Sequence, residues 1–407
     1  MITRRNFIAS APGFALAATG PAGPAVALII TEYRHNAHAD VIGTRLLGGY
    51  ELDGKWVAPR VRVVSMFTDQ VPDNDMSRPM AARHHVPILG TVQEALTLGK
   101  GSLAVGGVVI IGEHGRYPYN EKGQHLYPRY ELFQQVVKVF RDSGRAVPVF
   151  TDKHLSTDWR KAKWMFDQSR ELRFPLLAGS SVPISWRRPD LDFPLETPMQ
   201  YVAAAAYGGT ESYGFHALES MQVLAERRRG GETGVAAVQS LEGADVWRWT
   251  DANPWAVPLM EAAVSRSETR KQGNIRELAR NPALFVVEYR DGLKGVVYML
   301  NGAIGDFNAA AQVEGRTRPD ATLMWLDAKW HCHFSMLTHY IEELVITGQE
   351  PYPPERTLLT TGMLAALMES AWKGGVRLET PHLAVRYRAP AGPKHNRGAA
   401  PQGRASA

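Results

Sequence analysis

Short apolar runs recur along the first part of this chain, each followed by a polar turn and a helical segment. That alternation constrains the fold more than any other feature. Ala25–Ile30 reads AVALII, the continuous apolar run expected of a strand buried on both faces of a parallel sheet. Val61–Phe67, Pro87–Leu89, Val108–Ile111 and Ala146–Phe150 repeat the theme. Between and after them, the spacing of apolar residues predicts helices over 37–47, a short one ending near Arg83–His85, then 92–98, 129–143 and 159–172. Ser156-Thr157-Asp158 offers an N-cap to the last of these. Alternating β and α units of this length argue for α/β architecture with a doubly wound, Rossmann-like parallel sheet at the N-terminal end.

From Phe174 the pattern changes. Residues 175–184, 200–207, 234–241, 284–301 and 323–326 are strand-like, and Asp291-Gly292 is a hairpin turn signal inside the fourth of these stretches. Helices are expected over 215–229, 255–265, 334–346 and 357–373. The second part therefore reads as an α+β domain with a mainly antiparallel sheet. Beyond Arg388 the chain is rich in Pro, Gly, Ala and Arg without apolar periodicity, which predicts disorder over 389–407. The expected division is 1–23 as a targeting segment, 24–155 as the Rossmann-like domain and 156–388 as the α+β domain.

The amino terminus carries Thr3-Arg4-Arg5-Asn6-Phe7-Ile8, a mild apolar run and small residues over 15–22. This is a twin-arginine export pattern, and it predicts a periplasmic or otherwise extracytoplasmic protein. No stretch of the 407 residues reaches 18 apolar residues, so no membrane span is expected in the mature protein. The net charge of +5 is concentrated at the ends, in Arg4, Arg5, Lys394, Arg397 and Arg404, and gives no argument for nucleic acid. A single cysteine, Cys332, excludes an intramolecular disulfide framework and a cysteine-cluster zinc site.

Candidate chemistry gathers where the strands end. Lys153 follows the Ala146–Phe150 run directly, with Asp152 before it and His154 after, and ligands of open α/β sheets lie past the carboxyl ends of strands. The loop 115–128 holds Arg116, Tyr117, Tyr119, Asn120, Lys122 and His125, a mixture of aromatic and hydrogen-bonding groups suited to a polyol. Arg187 and Arg188 could meet an acidic ligand or form a surface ion pair. A hydrolase or lyase of metal or acid–base type would use His35 and His38, with Glu32, Glu113 and His114 nearby, or the His331-Cys332-His333 cluster. Two imidazoles are too few to assign a metal, and none is assigned.

Asp152-Lys153-His154 stands where the glucose-fructose oxidoreductase, inositol dehydrogenase and MocA (Gfo/Idh/MocA) family has its Glu-Lys-Pro. Arg141-Asp142-Ser143-Gly144 before it, Leu177-Ala178-Gly179 after it, Gly208-Gly209 with Gly214-Phe215-His216, and 346–375 follow in the family's order. From Val26 to Tyr387 the chain resembles that family. The resemblance implies hydride transfer between NAD or NADP and a sugar, cyclitol or related polyol. Lys153 and His216 would then be the acid–base groups with Asp152 beside them, and Tyr119, His154, Arg187 and Tyr213 would meet the substrate. Sheets of this type pair across the second domain, so a homo-oligomer through the C-terminal sheet is also expected.

Around the dinucleotide the chain departs from the pattern. The three glycine positions of the G-x-G-x-x-G turn hold Ile30, Glu32 and His35, although those glycines give a tight turn and close approach to pyrophosphate. Gly112-Glu113 replaces the usual Thr-Pro, and Ser212 stands where an aspartate precedes the histidine. The residues left to meet a cofactor are Thr31, Glu32, Tyr33, Arg34, His35, His38, Asp69, Glu113 and His114. The alternative is a relative that has lost the dinucleotide and binds a carbohydrate or a protein.

Overall fold

The computed structural model describes residues 23–401; the twin-arginine segment lies outside the described residues. Five parallel strands form the first sheet: β1 (Ala25–Glu32), β2 (Arg62–Gln70), β3 (Gly107–Ile111), β4 (Val149–Asp152) and β5 (Leu176–Gly179). Their order is β2-β1-β3-β4-β5. The order reverses direction beside β1, and a crevice opens there at the carboxyl edge. The strand expected at Pro87–Leu89 is reduced to one bridge between Ile88 and Met66. Its proline has no N–H to give a ladder.

The fifth strand corrects the expected domain division. By sequence pattern residues 175–184 belong to the second domain, but Leu176–Gly179 closes the first sheet, parallel to β4. The helix Trp159–Glu171, capped by the Asp158 carboxylate on the Lys161 N–H, is the crossover that returns the chain to the sheet. Residues 182–184 then form a single 3₁₀ turn.

Eight strands form the second sheet: β6 (Trp186–Arg188), β7 (Met199–Ala206), β8 (Val235–Glu242), β9 (Ala283–Tyr289), β10 (Lys294–Met299), β11 (Phe307–Val313), β12 (Asp320–Trp325) and β13 (Leu378–Glu379). The order is β13-β8-β9-β10-β7-β11-β12-β6, antiparallel except where β10 runs beside β7. The Asp291-Gly292 turn joins β9 to β10 as its residues require. Strand β11 was not foreseen, because Phe307–Val313 reads FNAAAQV, and alanine carries little strand preference.

The near face of this sheet packs on helices Ser212–Ala225 and Glu355–Trp372, which share one core with the first sheet. The helices Ala244–Ala252 and Ala256–Val264 cover the far face, burying Ala203, Leu284 and Tyr298 completely.

The tail is a further correction. Through Gly398 it is docked: the Asn396 N–H donates to the Ile184 carbonyl, and His395 Nε2 lies 2.5 Å from Asp190 Oδ1. The Trp186 indole donates to the Gly398 carbonyl. These are polar and backbone contacts, which leave no periodic trace in a sequence.

Candidate active site

The carboxyl edge of the first sheet faces the second domain across a cleft of about 850 Å³. Lys153 enters it from the turn after β4 in a left-handed conformation (φ 64°) that ordinary residues rarely adopt. Its side chain is 5% exposed. The Nζ ammonium donates to His216 Nε2 at 2.7 Å and lies 3.7 Å from Glu113 Oε1. An ammonium only donates, so Nε2 accepts, and the proton of the neutral imidazole sits on Nδ1, donating to Ser180 Oγ at 2.5 Å. Burial first, then the Lys153 charge, holds His216 well below the usual histidine range. Both ring nitrogens of His216 are thus committed.

The helix Ser212–Ala225 carries His216 and, one turn on, Glu219 on the same face. Glu219 accepts the Ser180 N–H at 2.8 Å and the Thr357 hydroxyl at 2.8 Å, so Ser180 is fixed from behind. Burial pushes the Glu219 carboxyl up.

Glu113 stands between two cations. Burial alone would raise its carboxyl, but Lys153 and then Arg129 hold it well below the ordinary range. Arg129 donates to Glu113 Oε2 at 2.5 Å and is itself buried. It reaches that position because Gly112 has no side chain: a Cβ there would meet Arg129 Cγ at 2.7 Å. Gly112 therefore makes room for an arginine that no sequence motif singles out.

His38 lines the same cleft. Its Nδ1 donates to Asp152 Oδ2 at 2.6 Å, and the Asp152 side chain is 2% exposed. The His38 ring is fixed between His114, with centroids 5.3 Å apart, and the edge of Phe334 at 5.2 Å. Burial and then His38 push His114 down to about 4.

Several expected residues fall elsewhere. Tyr119 is 66% exposed, stacked on His125 outside the cleft. His154 is buried behind the site, with Nε2 3.1 Å from both Arg129 Nη1 and Glu211 Oε1. Arg187 is buried in the second domain, donating to the Leu191 carbonyl at 2.6 Å. Tyr213 does line the cleft. Thr31 stitches β1 to the Glu113 carbonyl at 2.8 Å, and Tyr33 is fully buried with its hydroxyl 2.6 Å from Thr44. His35 is a surface residue beside Asp40 and lines a smaller adjoining cavity of about 420 Å³. Among the described residues, no three His, Cys, Asp or Glu side chains are grouped to hold a metal. His331 and His333 line the cleft, while burial lifts the Cys332 thiol to about 12. Asp306, Trp325 and Lys329, which also line it, carried no motif that would have flagged them.

The two ends of the cleft answer differently to a dinucleotide. Strand β1 runs on to Glu32, two residues past Ile30, into the space where a glycine turn would bend back. Glu32 is paired with Arg34 at 2.5 Å. Amides that could cradle phosphate are engaged: Asn36 with the Asp40 carboxylate (2.9 Å), Ala37 with the Arg34 carbonyl (3.0 Å) and His38 with His114 Nδ1 (3.4 Å). Asp69 accepts the Tyr117 hydroxyl at 2.5 Å, and Gln70 bonds the Arg116 backbone in both directions. The residues present do not fit a pyrophosphate seated on backbone amides. The end that holds Lys153, with its charged and aromatic walls, does suit a polar ring.

No protein-family model matches this sequence, and no curated protein matches it. Solved structures do. GenD2 from gentamicin A biosynthesis, in complex with NAD, shares 13% identity at a TM-score of 0.57, over 93% of this chain and 99% of its own. Myo-inositol dehydrogenase from Lactobacillus casei, with NAD(H) and myo-inositol, shares 13% at 0.54, over 88% and 96%. Myo-inositol 2-dehydrogenase from Lactobacillus plantarum shares 10% at 0.53, over 88% and 99%. The chain has their fold along nearly its whole length.

Proposed function

We propose that the cleft is the active site of a nicotinamide-dependent oxidoreductase acting on a CH–OH group of a sugar, cyclitol or related polyol. The observation that carries this reading is the buried Lys153–His216 pair at the carboxyl edge of a Rossmann-like sheet. Structures of the same fold holding NAD, or NAD(H) with myo-inositol, support the classes of cofactor and substrate.

A nicotinamide, held without the backbone-amide phosphate seat that this chain lacks, would supply a hydride acceptor. The chain's own work is the proton and the charge. Lys153 presents a cation to the hydroxyl oxygen and stabilises the alkoxide as its proton leaves. His216 and Glu113 fix that cation, and Tyr213 and Tyr207 add aromatic wall for the apolar face of a polyol ring.

The test is thermal unfolding of the mature protein with NAD, NADH, NADP and NADPH in turn. A ligand at a hundred times its Kd adds ~2.7 kcal/mol, a rise of roughly 5–10 °C in a protein of this size. No rise with any of the four, in folded protein, sinks the reading. The engaged amides at 36–38 would then favour the second reading, a relative that binds a carbohydrate or a protein without a dinucleotide.

The twin-arginine pattern adds export to this reading. Changing Arg4 and Arg5 to lysine is expected to keep the protein in the cytoplasmic fraction, and an unchanged distribution would refute it.

A further inference from the structure

Among the imidazoles that line the cleft, His38 and His216 are not in equivalent states. His216 has spent both ring nitrogens, on Lys153 and on Ser180. It can accept a proton only by breaking the contact with the ammonium that blocks its protonation. His38 differs. Its Nδ1 is held by Asp152 at 2.6 Å, its backbone N–H by His114, and its ring plane by His114 and Phe334. Nε2 has no protein partner among the described residues, and the residue lines the cleft that Lys153 and His216 line. A buried carboxylate on Nδ1 sets the tautomer with Nε2 as acceptor and stabilises the imidazolium that forms when Nε2 takes a proton.

We propose that His38, held by Asp152, is the imidazole that exchanges a proton with the ligand in this cleft. The substrate O–H bond breaks with its electron pair kept on oxygen, the proton moves to His38 Nε2, and the alkoxide is left beside the Lys153 ammonium. The reverse transfer returns the proton by the same path. His38 is then a catalytic residue and Asp152 a positioning residue, while His216 serves to hold Lys153. This rests on reading the cleft as a site of proton transfer at a hydroxyl.

Limited treatment of the native protein with diethyl pyrocarbonate at neutral pH tests it, because the reagent acylates free imidazole nitrogens. Peptide fragmentation separates His35 from His38 within the peptide that carries both. His38 is expected to be modified and His216 spared. Activity should fall in step with His38 modification and return with hydroxylamine. His38→Gln should lose at least about a hundredfold in kcat and show no further loss with the reagent. Asp152→Asn, which keeps the shape but removes the anion, should lower kcat far more than it raises KM. Modification of His216 with His38 spared overturns the proposal, as does full activity with His38 modified. Absence of any nicotinamide-dependent turnover would count against the oxidoreductase reading instead, since the modification pattern is read without turnover.

Discussion

Replacing Arg356 by leucine is expected to destabilise the protein by about 3–5 kcal/mol, because it strips a fully buried carboxylate of its partner. Arg356 is 1% exposed and donates through Nε and Nη2 to both oxygens of Glu226, at 2.8 and 2.6 Å. The Tyr387 hydroxyl donates to the same carboxylate at 2.9 Å, and the guanidinium lies over Tyr352, 4.5 Å from the ring centre. This pair joins the start of the helix Glu355–Trp372 to the end of the helix Ser212–Ala225, the two helices on which the second sheet rests. Burying both charges is costly, so the intact pair need not stabilise the fold relative to an apolar pair. Removing one partner is the severe case. At roughly 2–4 °C per kcal/mol, the melting temperature should fall by about 6–20 °C. The double change Arg356→Leu with Glu226→Leu should recover most of the loss. A single variant melting within a degree of the parent would show that water or a rearranged neighbour takes over the carboxylate.

That helix pair also explains how the fold serves the site. The helix Ser212–Ala225 lies in the core between the two sheets and delivers His216 and Glu219 to the carboxyl edge from the second domain. The turn after β4 delivers Lys153 from the first domain. The dyad therefore exists only when the domains are docked, and its geometry depends on contacts far from the cleft.

The parts legible in the sequence are those set by local rules. Continuous apolar runs announced β1, β3 and β4, because a parallel strand covered on both faces has no polar side to show. The Asp291-Gly292 turn, the Asp158 cap and the lysine after β4 were equally local. What escaped depends on distant partners. Arg129 had the appearance of a surface helix residue, and only the gap at Gly112 turns it inward to Glu113. Arg187 and His154 carry charge or polarity that favours a site, yet both are spent on internal hydrogen bonding. The covered face of the second sheet depends on two helices in 244–264, one of which, Ala244–Ala252, has a polar composition that masked it. Asp152 and His38 were each visible as candidates, but their pairing spans 114 positions and no local pattern encodes it.

Lys153→Met is expected to lower kcat for polyol oxidation by about 10²–10⁴-fold while leaving the fold intact. Methionine keeps the length and apolar stem of lysine and removes only the charge that faces the developing alkoxide. Glu113 keeps Arg129 at 2.5 Å, so no carboxylate is orphaned by the change. Lys153→Arg should not rescue, because the left-handed backbone at φ 64° fixes the direction of the side chain, and a planar guanidinium cannot occupy the ammonium's place 2.7 Å from His216 Nε2. The substitution has a second, separable consequence. Burial is the larger cause of the depressed His216 pKa and the Lys153 charge the next, so losing that charge moves His216 back toward the ordinary histidine range. A folded-state pKa below the unfolded one costs stability as pH falls through the interval between them; the variant, with a narrower interval, should lose less stability on acidification than the parent. Steady-state kinetics and melting curves at several pH values read the two effects independently. A variant that turns over within a few-fold of the parent would remove Lys153 from the reaction. A large kinetic loss with an unchanged acid profile would keep Lys153 in the chemistry and deny that its charge governs His216.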